Sequence, residues 1–567
     1  MLNMTIKTLI KNLDKKERLF LIFMAVIVIL ATTLPYAYGY LKSPKNTYFL
    51  AVSGLNKVDY PNYFSYIEQV KQGHFLFEDY YTTEPQPRII FNLFFLILGL
   101  LAKIFHGSAV AVFHIARIIL IPVFIFIFYL FTSFLFKEKI KQKICLVLAC
   151  FSSGLGFVLF PFIKNFSPWQ QPMDLWIPEA VTFLTFYTNP LFIFSLILIV
   201  SVFFFMLLAL ENKSYKNPSL RSGTLKFKRF KILWLNYKYA IFAGVSGLVL
   251  FQIHPYHFPT IFFVLGMFWL ALFFQEKKIN WMFFKYGLVF FIITLPSLLY
   301  YYWLSSSHWL TIQRINQAIP VGFTPPFIPF LISYGLLWPF VIIGIYFLVK
   351  NKKINHFSLF LITWLLAQIT LIYLPFPLQR RMSEGLHLVI CILAAFGVFV
   401  LYQKIKRQEK FIFLKNKFLW IVLFIFLFTC SNIFIVSQDI IFFSHKSVSL
   451  RQEIIASMTW LKENSLKNSA VLSSPDLEIN NLVPAFAVRK VYAGHGCETA
   501  YFARKIKEVD WFFETNDYDQ KKQKFLKENN LNYVLIYKED HLFQPEKKEY
   551  LKKVFENNLV GVYRVNL

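Results

Sequence analysis

The chain has 567 residues, of which 57% are hydrophobic, 20% aromatic and only 16% charged. Soluble domains carry about 25% charged residues, so the composition excludes an ordinary soluble protein. The formal charge of +28 does not indicate nucleic-acid binding, because many lysines and arginines lie in short connectors between apolar runs. A nucleic-acid site would need them clustered on one folded, water-facing surface.

Apolar runs near the length of a membrane-spanning helix recur along the chain. A helix needs about 20 predominantly apolar residues to cross the hydrocarbon layer. The first run, 19–40, is too long for the apolar part of a signal peptide and lacks a clear cleavage site, so we interpret it as a retained span. The sequence predicts a polytopic α-helical membrane protein with eleven spans: 19–40, 109–136, 144–163, 187–210, 239–253, 258–275, 282–303, 327–349, 357–376, 385–402 and 418–437.

The connectors between the runs indicate how the chain is oriented. Cytoplasmic loops carry an excess of Lys and Arg. If the short run Ile89–Phe105 does not cross, the basic N-terminus lies on one side together with five basic connectors: Lys137–Lys143, Lys213–Lys238, Lys277–Lys285, Lys350–Lys353 and Lys404–Lys417. We therefore expect a plasma-membrane protein with its N-terminus inside. Ile89–Phe105 would lie at the outer interface or re-enter, and residues 438–567 would lie outside.

Residues 438–567 differ from the rest of the chain. Short strands are predicted at Ala470–Ser474, Lys490–Ala493, Tyr533–Tyr537 and Val560–Val565, and helices at Arg451–Glu463 and near 499–514, 519–529 and 546–556. Alternating strands and helices predict a small three-layer α/β domain with a mainly parallel sheet. The predicted organisation is a transmembrane domain, 1–437, with an outer loop at 41–108, followed by an extracytoplasmic α/β domain, 438–567.

Ionisable residues gather in the connectors predicted to face outwards. Such residues are costly near a membrane and commonly mark a functional site. The first outer loop contains Asp59, Glu68, Glu78, Asp79 and Glu84, and later outer connectors contain Asp174, Glu179, His254, His257, Arg314, Arg380, Arg381, Glu384 and His387. This clustering predicts a site at the outer membrane face.

The topology and the placement of these loops resemble the GT-C superfamily of polyprenyl-phosphate-sugar-dependent glycosyltransferases. More narrowly, the chain looks like the bacterial branch with protein mannosyltransferases and lipid A aminoarabinose transferases. The resemblance covers essentially the whole chain, although its motifs are weakly specific. It implies interface helices in the first outer loop and transfer of a sugar from a polyprenyl-phosphate donor to a lipid, glycan or protein of the cell envelope.

The resemblance also implies roles for individual residues. Asp59 matches the position of the family's catalytic carboxylate, but it lies 19 residues beyond Tyr40, farther from the first span than is usual. Glu68, Asp79 and Glu84, with Glu78 beside them, therefore remain alternatives. Asp174 and Glu179 fall where some members keep second-loop acids that coordinate a divalent metal in the oligosaccharyltransferases. That ion is the one cofactor that the resemblance implies.

The chemistry of such a site follows from its location. Nucleotide sugars are not supplied outside the cytoplasm, so the donor must cross the membrane on a lipid phosphate. A carboxylate could act as general base on the acceptor hydroxyl, and direct displacement would then invert the anomeric centre. The departing phosphate needs a cation, and the guanidinium fork suits it. Arg380 and Arg381, together with Arg314, are the predicted phosphate binders.

Each of these residues also has a structural interpretation. Asp59 precedes Pro61 and fits a helix N-cap. Arg380 and Arg381 could contact lipid headgroups. The other structural interpretations are solvated loop acids for Asp174 and Glu179, interfacial histidines at a tight turn for His254 and His257, and the end of a span for Glu384 and His387.

The segment Tyr492–Thr499 is the most unusual part of the tail. Its two glycines permit a sharp turn after a strand. His495 and Glu498 could face an acceptor, but a structural strand-to-helix turn is the favoured interpretation.

Two other functions compete with the glycosyltransferase. A transporter or flippase for a lipid-linked or anionic substrate predicts broken helices, mid-span polar residues and a repeat between halves; the sequence shows neither a repeat nor paired mid-span charges. A membrane-anchored sensor would not need eleven spans.

Overall fold

The computed structural model describes residues 5–566 except 165–166, 168–169, 212–225, 319–321, 351–353, 376–377, 407–423, 426, 445–448, 516–518 and 539–542. The described chain is mostly helical. In chain order the helices are α1 Ile6–Lys11, α2 Lys15–Lys42, α3 Tyr60–Lys71, α4 Leu93–Ile104, α5 Ala109–Leu135, α6 Lys139–Phe151, α7 Gly156–Ile163, α8 Thr182–Thr188, α9 Pro190–Glu211, α10 Lys226–Ile253, α11 His257–Glu276, α12 Trp281–Ser307, α13 Trp309–Ala318, α14 Phe327–Tyr334, α15 Leu337–Lys350, α16 His356–Tyr373, α17 Leu386–Lys406, α18 Cys430–Ser444, α19 Gln452–Asn464, α20 Leu477–Phe486, α21 Phe502–Glu514 and α22 Asp519–Glu528.

Among the described residues, eight helical stretches are long and apolar enough to cross a membrane. They are Lys15–Lys42, Ala109–Leu135, Lys139–Ile163, Pro190–Glu211, His257–Glu276, Trp281–Ser307, His356–Tyr373 and Gln379–Lys406. Helices α14 and α15 form a ninth if the bent pair counts as one span. The protein is therefore a multi-pass membrane protein, as predicted.

Two further predicted spans are not among the eight. The run 239–253 lies within α10, and the run 418–437 overlaps α18 but begins outside the described residues. Much of the basic connectors Lys213–Lys238 and Lys404–Lys417, and most of Lys350–Lys353, also lies outside them. The count of eleven spans and the orientation of the chain stay predictions.

Helices α14 and α15 meet at an angle of 84°. Gly335 lies at the break with φ +42°, a region that side chains disfavour. A Cβ atom there would lie 2.8 Å from Leu155 Cγ. The bend therefore depends on glycine, both for its backbone angle and for its space.

The run Ile89–Phe105 forms only the 12-residue helix α4. At 1.5 Å per residue this helix is about 18 Å long, well short of a hydrocarbon layer of about 30 Å. Helix α4 packs against α3, as expected for helices that belong to a loop. It is too short to cross the membrane by itself.

The chain divides into two compact units. The first unit contains Met1–Leu34, Ala116–Tyr302 and Val321–Gln438, and the second contains Pro35–Ile115, Trp303–Pro320 and Asp439–Leu567. The predicted domain boundary at 437/438 stays a prediction.

A five-stranded sheet organises the tail within the second unit. The strands are β1 Thr47–Phe49, β2 Ser449–Arg451, β3 Ala470–Ser473, β4 Lys490–Val491, β5 Tyr533–Tyr537, β6 Leu551–Glu556 and β7 Val560–Val565. The sheet has the order β4-β3-β5-β7-β6, while β1 and β2 pair separately and antiparallel. Strand β3 runs parallel to β4 and β5, and β7 runs antiparallel to β5 and β6. The sheet is mixed, so the prediction of a mainly parallel sheet was wrong.

The prediction of a helix near 546–556 was also wrong, because Leu551–Glu556 forms strand β6, which pairs with β7 as a hairpin. The three layers were predicted correctly. Neighbouring residues of β3 point to opposite faces: Val471 packs with Ile454 and Met458 of α19, and Leu472 packs with Phe512 of α21.

Candidate functional site

Asp59 lies at the N-terminal end of α3, where Pro61 sets the first turn. Its side chain makes no capping hydrogen bond, so the structure does not support the N-cap interpretation. The side chain is 33% exposed, and its Oδ1 lies 3.3 Å from Nε2 of His495. The first-loop acid is therefore both accessible to solvent and in contact with a histidine of the tail.

His495 lies in the turn between β4 and α21, and its ring is held in one tautomer. The backbone N–H groups of Cys497 and Glu498 both donate to Nδ1, each at 3.2 Å. A nitrogen that accepts these bonds carries no proton, so the neutral ring carries its proton on Nε2. That nitrogen faces Asp59 and donates to its carboxylate.

Asp79 is almost completely buried. Its Oδ1 accepts the N–H of Tyr81 at 2.8 Å, and its Oδ2 lies 3.7 Å from Nε of Arg314. Burial raises the pKa of the Asp79 carboxyl, and the Arg314 guanidinium opposes part of that rise. Arg314 also pairs with Glu498 and approaches the hydroxyl of Tyr66 at 3.4 Å. Asp79 therefore helps to fix the arginine that the sequence predicts as a phosphate binder.

The remaining first-loop acids are each paired with basic side chains. Glu68 pairs with Lys71 and Lys462 at 2.7 and 2.9 Å, Glu78 with Arg88 and Lys490 at 2.9 and 2.5 Å, and Glu84 with Lys505 at 2.7 Å. Burial alone would raise the pKa of Glu84, but the ion pair with Lys505 has the larger combined effect and lowers it. Glu84 is therefore a weak base. Sequence reasoning missed Lys505, because nothing in a lysine on an amphipathic helix distinguishes it from its solvated neighbours.

In the first unit, the short helical turn Gln379–Ser383 places Arg380 and Arg381 beside Glu179. Arg381 Nη1 lies 3.0 Å from Glu179 Oε1, and Arg380 Nε lies 3.9 Å from the same oxygen. The Arg380 guanidinium also lies 4.6 Å from the centre of the Trp176 ring. Two predicted phosphate binders thus meet one predicted second-loop acid.

Asp174 and Glu179 are both buried, so the interpretation as solvated loop acids was wrong. Asp174 Oδ2 accepts the N–H of Gly156 at 2.9 Å, and burial raises the pKa of Asp174 to about 7. Glu179 is paired with two arginines. Among the described residues, neither acid belongs to a group of three close metal-ligand atoms, so the pair does not fit the divalent metal that the resemblance implies there.

A different group of potential metal ligands forms in the same unit. His257 Nε2 lies 2.8 Å and His254 Nδ1 3.7 Å from Glu384 Oε2. Among the described residues, this is the only group of three potential ligands whose donor atoms lie within 4.8 Å of one another. His387, expected to extend a site with Glu384, instead contacts Ser152 Oγ and Thr182 Oγ1 at 3.1 and 2.9 Å.

The sequence matches no protein-family description and no curated protein. The fold, in contrast, is similar to known structures. One is the Archaeoglobus fulgidus oligosaccharyltransferase tethered with an acceptor peptide, with 15% identity over 91% of this chain and 68% of that chain, and a TM-score of 0.55. Another is the archaeal oligosaccharyltransferase AglB from the same organism in complex with an inhibitory peptide and a dolichol-phosphate, with 15% identity over 91% and 69% of the two chains and a TM-score of 0.50. ArnT from Cupriavidus metallidurans in the apo state matches 95% of this chain and 97% of its own at 10% identity and a TM-score of 0.47.

The chain has a GT-C-type fold. This confirms the predicted fold class. In a GT-C-type fold, the geometry described above supplies an accessible carboxylate with a fixed histidine partner in one unit and a buried arginine–glutamate group in the other.

Proposed function

We propose that this protein is a membrane glycosyltransferase that moves a sugar from a polyprenyl-phosphate donor to an envelope acceptor at the extracytoplasmic face. The observation that carries the proposal is Asp59, an accessible first-loop carboxylate at the position where the GT-C resemblance implies the catalytic acid. The donor class is supported by the AglB structure of similar fold, which was solved with a dolichol-phosphate. A transporter or flippase is disfavoured, because the proteins of similar fold are glycosyltransferases.

In the proposed reaction, Asp59 accepts the proton of the acceptor hydroxyl as that oxygen attacks the anomeric carbon. The bond between the anomeric carbon and the phosphate oxygen breaks, and the lipid phosphate leaves with the bonding electrons. A single displacement of this kind inverts the anomeric centre. Asp59 suits the role better than Asp79, because the base must reach an external hydroxyl and Asp79 is buried.

The departing lipid phosphate needs positive charge. Arg314 supplies a guanidinium group in the same unit as Asp59. Arg380 and Arg381, in the first unit, stay predicted phosphate binders. Preorganised donors of this kind stabilise charge that develops during reaction. No step of the proposal uses a metal ion at Asp174 and Glu179, because those residues do not fit one.

The direct test is Asp59→Asn in purified full-length protein, assayed with a radiolabelled polyprenyl-phosphate sugar. Mass spectrometry of envelope glycans from a deletion strain would first identify the sugar and the acceptor. Loss of a general base lowers rates by about 10²- to 10⁴-fold, and we expect a loss of that size with unchanged expression.

The matched control is Asp476→Asn. Asp476 caps α20 by accepting the N–H groups of Glu478 and Ile479, and asparagine caps a helix equally well. This variant should transfer sugar at the normal rate. Full activity in Asp59→Asn would disprove the role of Asp59 and transfer it to Glu68, Asp79 or Glu84.

A further inference from the structure

We propose that His254, His257 and Glu384 form a binding site for a divalent transition metal, with zinc as the ion that the ligand set fits best. This inference concerns metal content and does not depend on sugar transfer. It assigns a second chemical feature to the first unit, separate from the arginines and from Asp174.

The local chain geometry brings the three ligands together. His254 directly follows α10 and His257 begins α11, and the tight turn between them is closed by a bond from the His257 N–H to the His254 carbonyl at 3.2 Å. Both imidazoles thus lie on one side of the turn. Glu384 approaches from the chain between the Gln379–Ser383 turn and α17, where Gly385 has φ +89° and redirects the backbone.

Burial makes this arrangement unusual. The side chains of His257 and Glu384 are fully buried, and that of His254 is 7% exposed. Buried polar atoms almost always have a hydrogen-bond partner. Glu384 Oε1 has none among the described residues. The histidine nitrogens lie beside the other oxygen, Oε2, so a cation held by both carboxylate oxygens would give Oε1 a partner.

The three donor atoms lie within 4.8 Å of one another, close enough for small side-chain shifts to place them around one zinc ion. Zinc binds imidazole nitrogen at about 2.0–2.1 Å and carboxylate oxygen at about 2.0–2.2 Å, usually as a tetrahedron. Two ligands of such a tetrahedron lie roughly 3.3 Å apart. The two histidine nitrogens lie 2.8 and 3.7 Å from Glu384 Oε2, on either side of that value. Two nitrogens and one carboxylate are a ligand set typical of zinc.

The surroundings leave two explanations for the buried acid. Arg380 and Arg381 share the carboxylate of Glu179, at 3.9 and 3.0 Å. Glu384 is then held either by its hydrogen bond with His257 alone or by a metal ion as well. Only the second explanation predicts bound metal, which makes the two separable by experiment.

The test uses the full-length protein in detergent, purified with an affinity tag that contains no histidine. The protein is stripped with EDTA, incubated with ZnCl₂ and freed of unbound metal by gel filtration, and zinc per chain is then measured by plasma mass spectrometry. We expect one zinc per chain in the wild type. Glu384→Gln keeps the volume of the side chain but removes the anionic ligand, and should weaken zinc binding at least tenfold.

Two controls make the outcome specific. His356 contacts Glu276 and Glu211 at 3.2 and 3.5 Å. Like His257, it is a histidine beside a glutamate, but its side chain is partly exposed. His356→Asn should keep the zinc. Asp59→Asn should also keep it, so loss of transfer and loss of metal can be distinguished.

A wild type without bound zinc, or a Glu384→Gln variant that binds zinc as tightly as the wild type, would overturn the proposal. Glu384 and His257 would then be a hydrogen-bonded pair only. A Co²⁺ titration of the wild type decides the matter even if the variant does not fold, because a specific nitrogen–oxygen site gives visible d–d bands that saturate at one equivalent. Absence of those bands would count equally against the site.

Discussion

The contact between His495 and Asp59 gives the sharpest test of the proposed active site. His495→Asn keeps an acceptor close to Nδ1 for the N–H groups of Cys497 and Glu498, but it is too short to reach Asp59. His495→Gln places an N–H donor near the position of Nε2 and can reach it. The pair of variants therefore separates the positioning of Asp59 from the structure of the turn.

The size of the effect follows from the geometry. A hydrogen bond to a charged group contributes about 1.5–3 kcal/mol. The distance of 3.3 Å is long, and Asp59 is one-third exposed, so the lower end applies. A loss of about 1.4 kcal/mol in the transition state lowers the rate about tenfold.

Initial rates measured over a range of lipid donor concentrations will check this prediction. In His495→Asn we expect kcat about tenfold lower and an unchanged KM for the donor, because His495 does not bind the lipid in the proposed reaction. His495→Gln should recover much of the loss. The reasoning is refuted if His495→Asn has normal kcat, or if both variants lose activity equally, since the turn would then matter and the donor to Asp59 would not.

Three further predictions concern other parts of the chain. Arg380→Ala should raise the apparent KM for the lipid donor, and Arg380→Lys, which keeps the charge, should raise it less. An unchanged KM in both variants would favour the interpretation that Arg380 contacts lipid headgroups. Gly99→Ala should lower the apparent unfolding temperature, because the new Cβ would lie 2.3 Å from Val70 Cβ and overpacking costs about 1–3 kcal/mol. Normal stability of this variant in a thermal-shift assay would contradict the close packing of α3 on α4. Asp174 should make the protein less stable as the pH rises from about 4 to about 7, because the unfolded carboxyl ionises near its ordinary pKa of 3.8 whereas the folded one stays protonated up to a pKa of about 7. The difference amounts to at most about 4 kcal/mol, and Asp174→Asn should flatten the pH dependence of the unfolding temperature measured over that range.

The membrane helices could be predicted because length and apolarity decide them locally. The run 327–349 was predicted as one span, but its 84° break depends on the backbone angle of Gly335 and on Leu155, which lies far away in sequence. The strand Leu551–Glu556 was missed for a similar reason. Its lysines and apolar residues fit either a helix or a strand, and pairing with β7 decides between them.

The candidate site was predictable by residue type but not by pairing. The sequence indicated Asp59, Arg380 and the two histidines, because charged and polar residues beside apolar runs are conspicuous. It could not show that Asp59 would meet a residue 436 positions away, or that Glu384 would join a turn 127 positions before it. Such contacts depend on the tertiary fold.

The ion pairs of the second unit restrict how this protein can be shortened. Glu68, Glu78 and Glu84 each take a lysine from beyond residue 439, namely Lys462, Lys490 and Lys505. A chain cut before that point would leave Glu84 without its lysine, whereas Glu68 and Glu78 would keep Lys71 and Arg88. Lys505 is buried, and loss of one partner of a buried pair costs up to about 3–5 kcal/mol. The tail is thus an internal scaffold for the first loop, and expression of residues 1–438 alone should yield a protein whose first loop is misassembled.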